Sequence, residues 1–550
     1  MMQRRAGFLV TALFFTALLG AGLLYDDLSA ARRGGYENVR LLSEVVEQVS
    51  QKYVDRIDDD ELYLRAIKGL VESLDPYSEF LTRDEYEDLK VHTSGNYEGL
   101  GISIDIRDDV LTVVAPIEGT PAYRAGIHSG DRIMAVDGRS THGWSSERAV
   151  DELRGPAGSE VVLTIAREGL TEPIEITIRR QAIDIPSVPY AWLLDGGVGY
   201  VRFRQFSERG AREVQAAVEN LRRQGMRSLV LDLRGNPGGL LDQAIDVTDL
   251  FLERGELVVS TRGRMPEQNR KYHAHDDVNY GTFPMIVLVD GGTASASEIL
   301  AGALQDHDRA LILGRTSFGK GLVQSLFPLE GNQAALKLTT ARYYTPSGRN
   351  IQREESDDPL LAMVGDGDEL PPVVEAAREE GEVPDSLVFH TDMGREVYGG
   401  GGITPDLVVS DTLTTAGRKL VEELRAKGVY FDYAVHYRAA HDKLPASWQP
   451  SEAEIEDFLE FARSKDILFA PEEFEAERDF IVDSLRSVMI AHYHGEAVAR
   501  RQVMQADVAL MTAVELLREG ETLRDVFKLA EERDAAIEAA LQPPGGAVER

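Results

Sequence analysis

The 550-residue sequence contains no cysteine. That excludes disulfides, zinc–thiolate sites and cysteine nucleophiles, and it leaves the redox compartment open. Positive charge is also scarce: 59 Lys and Arg stand against 93 Asp and Glu, for a net charge of −34. A surface that acidic repels phosphate backbones and offers no basic patch to anionic lipid, so no nucleic-acid partner is expected. The G-x-x-x-x-G-K-[ST] phosphate loop and the G-x-S-x-G nucleophile elbow are both missing, and there are no internal repeats. What remains is a folded composition, 43% hydrophobic and 28% charged, in a chain too long for a single core.

Arg4 and Arg5 precede an uncharged run from Ala6 to Tyr25, and Asp26 and Asp27 follow it. A basic stretch before an apolar one is an export signal that places the rest of the chain outside the cytoplasm. The run is long enough to span a bilayer, and no A-x-A cleavage site stands out. Within residues 1–34 the expectation is an uncleaved inner-membrane anchor on residues 6–25, with the chain on the periplasmic side. A cleaved signal and a secreted chain is the alternative.

Residues 35–92 read as helical, with Val45, Val46, Val49 and Tyr53 at helical spacing and an Asp75-Pro76 turn inside LDPYSEFL. Residues 93–183 change to short alternating strands separated by Gly and Pro turns, with one helix near Ser146–Arg154. Residues 184–410 alternate apolar strands (GVGYVRF, SLVLDLR, MIVLVD, ALILG) with helices, the pattern of an α/β core. Within them, residues 354–400 are acidic and rich in Gly and Pro and read as an insertion or mobile loop. Residues 411–550 are mostly helical, with apolar stripes at Ile455, Phe458, Leu459, Ala462 and at Ile481, Leu485, Val488.

The β-rich segment opens on YEGLGISI (Tyr97–Ile104). Its Gly-Leu-Gly-Ile turn presents free backbone N–H groups to a peptide carboxylate, and the strand that follows can pair with the peptide. Together with GTPAYRAGIHSGDRIMAVDG and LRGPAGSEV, it resembles the PDZ domains attached to bacterial proteases. The resemblance implies a groove at Leu100, Gly101 and Ile102 that selects apolar C-terminal residues.

Three segments of the α/β region carry chemistry. LVLDLRGNPGGLL (Leu229–Leu241) runs a strand into a glycine turn whose N–H groups can face an oxyanion. VDGGTASASEILAGAL (Val289–Leu304) places Ser295 and Ser297 at a strand-to-helix junction, where the helix dipole favours an alkoxide. LILGRTSFGKGLVQS (Leu311–Ser325) sets Lys320 between two glycines. A lysine can take a serine's proton only when neutral, which requires burial.

GGTASASEI, GRTSFGKGLVQ and LKLTTARYYTPSGRNIQ (Leu336–Gln352) resemble the carboxyl-terminal processing (tail-specific) proteases, over residues 40–352 and again at GGITPDLVV. The resemblance implies a multidomain α+β fold: a helical N-terminal segment, a PDZ domain, an α/β core of the ClpP/crotonase type and a helical C-terminal region. In that family the nucleophile is the serine of the S-A-S-E string, with the lysine 25 residues on and a glutamine four further. Lys320 stands 25 residues after Ser295, and Gln324 four after Lys320. The resemblance thus implies Ser295, Lys320 and Gln324 as catalytic residues, with the Ala296 N–H and that of Gly238, or else Gly239, as oxyanion donors. No metal or other cofactor is implied. The partners are proteins with apolar C-termini; the insertion and the C-terminal helices leave room for an adaptor protein or a homo-oligomer.

Two rival readings differ in class. A Ser-His-Asp hydrolase would draw on His307, twelve residues beyond Ser295. A catalytically inactive PDZ scaffold would lack the serine or the lysine, and both are present. The His273/His275 and His492/His494 pairs lack a third ligand and read as solvated surface histidines.

Overall fold

The computed structural model describes residues 37–275, 280, 283–329, 331, 334–353, 385–409 and 414–541. The expected export segment lies outside them. No helix among the described residues is long and apolar enough to cross a membrane. The chain divides into two compact units, one of residues 1–86 with 324–339 and one of residues 87–323 with 340–550.

In the first unit a helix over residues 37–52 precedes the helix Asp59–Glu72, whose N-terminus is capped by the Asp58 carboxylate. The Asp75-Pro76 turn forms as its chemistry demands. Asp75 Oδ1 accepts the N–H groups of Tyr77 at 2.9 Å and Ser78 at 2.8 Å. The turn leads into the strand Glu79–Leu81, which pairs antiparallel with residues 335–337.

The second unit begins with the β-rich domain, whose sheet contains β1 (Ile102–Arg107), β2 (Val110–Pro116), β3 (Arg132–Val136), β4 (Glu160–Ala166) and β5 (Ile174–Arg179), with helix α1 (Ser146–Leu153) packed beside β1. These strands lie in the order β1-β2-β3-β4-β5, so β1 has a free edge. Val113, Ile133, Leu163 and Ala149 close the interior.

The α/β core is one six-stranded sheet: β6 (Tyr190–Leu194), β7 (Val198–Arg202), β8 (Ser228–Asp232), β9 (Met285–Val289), β10 (Leu311–Gly314) and β11 (Leu407–Val408). β6 is antiparallel to β7 and the other pairs are parallel. Side chains alternate between two buried faces, which is why these strands read as continuous apolar runs. Leu229, Leu231, Val287 and Ile312 meet α2 (Gly210–Arg223), α3 (Leu241–Asp249) and α4 (Ala296–Asp306). Val230, Ile286, Leu288 and Leu313 face the other way.

That second face is covered by C-terminal helices. α5 (Val429–Ala440) and α6 (Arg478–His494) join a separate helical cluster around Leu420, Tyr433, Phe458 and Leu485. α7 (Val508–Glu519) and α8 (Leu523–Leu541) instead lay Leu510, Ala513, Leu517 and Phe527 on the sheet. Part of the C-terminal region is therefore a layer of the core.

The end of the expected mobile insertion is folded. Val388–His390 and Glu396–Tyr398 form an antiparallel pair. Arg395 between them bonds Asp308 at 2.7 Å and pairs with Asp406. Paired charges and strand hydrogen bonds fix residues 385–400 to the core, where an acidic Gly-rich composition reads as loop. Residues 354–384 lie outside the described residues.

Candidate active site

Strand β9 ends at Val289, a six-residue turn over residues 290–295 follows, and α4 starts at Ala296, so Ser295 stands where the sheet's carboxyl edge meets a helix N-terminus. Its backbone is strained, at φ +56° and ψ −113°, a region that a residue with a Cβ occupies only under constraint. The Ser295 hydroxyl caps nothing in the helix. Ser297 is the opposite case. It is wholly buried, and its Oγ donates to the Asn236 carbonyl at 3.0 Å.

Lys320 lies half-buried in the segment after β10. The glycines beside it serve close approach: a Cβ on Gly321 would sit 2.7 Å from the Gln352 nitrogen, and one on Gly319 2.9 Å from Arg353 Cβ. Two side chains tie this segment to Ser295. The Glu298 carboxylate is wholly buried, and its Oε2 accepts the N–H of Ser295 at 2.7 Å and the N–H of Lys320 at 2.9 Å. Its Oε1 accepts Gly319 N–H at 2.7 Å and the Ser317 hydroxyl at 2.5 Å. Opposite, the Tyr343 hydroxyl faces the Ser295 carbonyl at 3.1 Å and donates to the Lys320 carbonyl. One buried carboxylate and one phenol thus clamp the two backbones side by side. Burial pushes Glu298 above the ordinary glutamate range, while hydrogen bonds from Ser317, Lys320, Gly319 and Ser295 favour its ionised form.

The GNPGG turn packs directly on this junction. At Gly238, with φ +98°, a Cβ would meet the Ala294 oxygen at 2.7 Å, the Ala296 nitrogen at 2.9 Å and Ser295 Cβ at 3.0 Å. The Gly238 N–H, however, donates to Asn236 Oδ1 at 2.9 Å. Gly239, next along, forms a bridge with Phe206. Asn236 organises the turn: its Nδ2 donates to Phe203 O at 3.0 Å, and its carbonyl accepts Ala294 N–H at 3.0 Å.

Gln324 belongs to the first unit, where its Nε2 donates to the Tyr77 carbonyl at 2.8 Å. His307 caps the far end of α4, roughly 18 Å along the helix from Ser295. Its ring nitrogens bond Asp392 Oδ2 and the Leu257 carbonyl, each at 2.8 Å. Burial draws its pKa down, but the Asp392 carboxylate and Leu257 carbonyl hold it above the ordinary histidine value. His275 pairs with Asp249. His492 is buried against Phe431 and Tyr493, a correction to its reading as a surface residue; helix α6 turns it inward.

In the β-rich domain Gly101 has φ +77° and gives its carbonyl to Ile117 N–H at 2.9 Å. Leu100 is enclosed in the domain interior, whereas Ile102 is half-buried at the start of the free edge. Leu100 therefore shapes the turn from beneath.

Glu298, Tyr343 and Asn236 were not singled out from the sequence. The Ser-x-x-Glu spacing of a capping box marks Glu298; no local pattern marks Tyr343.

Residues 197–358 match Peptidase family S41 and residues 88–166 the PDZ domain. Residues 420–473 match "Probable PDZ-protease, C-terminal helical domain". The carboxy-terminal-processing protease of Bartonella bacilliformis is 42% identical over 355 residues, 64% of this chain and 81% of that one. The chain belongs to the carboxy-terminal-processing proteases, peptidase family S41. The carboxy-terminal processing protease CtpA of Bacillus subtilis is 34% identical over 60% of this chain and 70% of its own. A solved photosystem II D1 C-terminal processing protease is 32% identical over 57% of this chain and 89% of that one, with a TM-score of 0.33. The chain is accordingly a serine-type peptidase of this family carrying a PDZ domain.

Proposed function

We propose that this chain is an extracytoplasmic endopeptidase that captures protein tails in its PDZ groove and cuts peptide bonds with Ser295 and Lys320. The observation that carries this reading is the double clamp of Glu298 and Tyr343, which sets the two backbones side by side. A tail with an apolar C-terminus adds to the free edge of β1, its carboxylate on the N–H groups after Leu100. Neutral Lys320 takes the Ser295 Oγ proton as the oxygen attacks the carbonyl carbon. Ala296 and the GNPGG turn donate to the oxyanion; with the Gly238 N–H held by Asn236, that donor is Gly239. Collapse breaks the C–N bond and the amine leaves with the proton from Lys320. Water, deprotonated by Lys320, then attacks the acyl-enzyme, and Lys320 returns the proton to Ser295.

In digests of an unstructured reporter with an apolar C-terminus, Ser295→Ala should abolish cleavage. Ser297→Ala should lose only a buried hydrogen bond, about 1 kcal/mol, and keep measurable activity; the reverse ranking overturns the assignment. Location rests on Arg4 and Arg5 before the Ala6–Tyr25 run. Fractionation should find the protein in the membrane on the extracytoplasmic side, and recovery from the cytoplasm would refute export.

A further inference from the structure

Arg234 is the residue just before the GNPGG turn, and its guanidinium is shared between two carboxylates. Its Nε and Nη2 donate to Asp232 at 2.9 and 2.7 Å. Its Nη1 and Nη2 donate to Asp507 at 2.9 and 2.8 Å. Asp507 lies 273 residues away in sequence, at the N-cap of α7, outside the part of the C-terminal region that matches a described domain. It also accepts from Arg500 at 2.8 Å. Asp232 is wholly buried and accepts the Tyr200 hydroxyl at 2.7 Å, with Arg202 at 3.4 Å and Arg500 at 3.8 Å. Three guanidinium groups therefore gather round two carboxylates. Without the Asp507 charge, three cations would share the single carboxylate of Asp232 in a site largely shut off from water, and Arg234 would be pushed from its place.

The consequence reaches Ser295 through the backbone. The Gly235 N–H, next to Arg234, donates to Asp290 Oδ1 at 2.7 Å, and Gly292 packs on Gly235. Asn236 then holds Gly238, Ala294 and Ser297 together. These contacts run from Arg234 to the turn and on to the residues that flank Ser295.

We infer that Asp507 is a positioning residue for catalysis: from the C-terminal helices it fixes Arg234, and through Arg234 the glycine turn that receives the oxyanion. This rests on the Ser295 reading above. It makes the C-terminal layer part of the catalytic machinery, since a turn displaced by about 1 Å can cost on the order of a hundredfold in rate.

The test is steady-state kinetics of the full chain carrying Asp507→Asn, which keeps the size and the helix-capping oxygen but drops the charge. The inference predicts kcat lower by roughly 10- to 100-fold, KM within about twofold, and inhibition by a peptide boronate, which mimics the tetrahedral adduct, weakened by a similar factor. Asp507→Glu, which keeps the charge, should recover part of the kcat. A folded Asp507→Asn enzyme with wild-type kcat and boronate affinity overturns the inference, as does a loss confined to KM. If Asp507→Asn does not fold, Asp507→Glu decides: a reduced kcat at unchanged KM supports the inference, and wild-type kcat overturns it. Ser295→Ala assayed alongside separates the two levels. If Ser295→Ala remains active, the underlying reading fails; if it is dead while the Asp507 variants keep wild-type kcat, only this inference does.

Discussion

Glu298 has all four of its hydrogen bonds inside the protein, and two of them hold the amides of Ser295 and Lys320 on one oxygen. A neutral amide at this position has one accepting oxygen and an NH₂ that would point at N–H donors. Glu298→Gln should therefore reduce kcat by about 10²-fold, the scale set by loss of a preorganised group, with KM little changed. Comparison of kcat for folded Glu298→Gln and wild-type enzyme checks this, and near-wild-type kcat would show that the clamp does not position the pair. At this scale the sequence is partly legible. The spacing of Ser295, Lys320 and Gln324 and the glycines beside Lys320 can be read from the string, because they sit in contiguous motifs. That Gly238's amide is engaged by Asn236, and that Ser297 is tied to Asn236 O, depends on a loop some 60 residues earlier.

Helices α5 and α6 meet the PDZ domain along a seam that mixes apolar contact with charge. Val435 fills the space over Gly130, Ala439 lies on Gly169, and Arg107 stacks on Phe431 and reaches Asp432 at 3.4 Å. His436 faces Glu168 at 3.0 Å. A cavity of about 340 Å³ lies within the seam, lined among others by His128, Asp131, Arg167, Arg438, Asp442 and His492. Burial first, then the cations Arg438 and Arg167, push His128 down to about 4, against the pull of Asp131. Burial, Arg438 and His128 push His492 down to about 3. Both histidines are therefore neutral when the seam is closed but titrate near 6.5 when it is open. Above that value the seam has its full stability. As pH falls from about 6.5 towards 4 the open form binds protons that the closed form excludes, and stability is lost. Hydrogen exchange should show the PDZ-facing side of α5 and α6 less protected at pH 5 than at pH 7, with His492→Gln flattening the difference. Equal protection at both pH values would contradict the assignment. The apolar stripe Ile455, Phe458, Leu459, Ala462 was readable because all four positions are buried, and in the second stripe Ile481 and Leu485 are buried too. The inward turn of His492 was not readable, since Phe431 stands on another helix and His128 in the PDZ domain.

Across the whole molecule, the order of segments follows the sequence closely: helices, a β-rich PDZ domain, a mostly parallel sheet with helices, and more helices. Period-two and continuous apolar patterns are local properties and survive into the fold. The role of the last helices is not local. α7 and α8 close the second face of the protease sheet, and nothing in their own pattern says which face they cover. Nor does composition separate a loop from a strand pair held by Arg395 with Asp308 and Asp406. These long-range contacts give the chain a protease core completed by its own C-terminal region, with Ser295 at the meeting of strand, glycine turn and lysine segment. In the proposed mechanism Ser295 forms the covalent intermediate with Lys320 as its base. The most direct measurement is peptide mass spectrometry of the enzyme quenched during turnover of an activated acyl substrate. The acyl group should be found on Ser295 in the wild-type protein and be absent from folded Lys320→Ala and Lys320→Arg proteins. An adduct on any other residue, or full acylation of Ser295 in Lys320→Arg, would contradict the account.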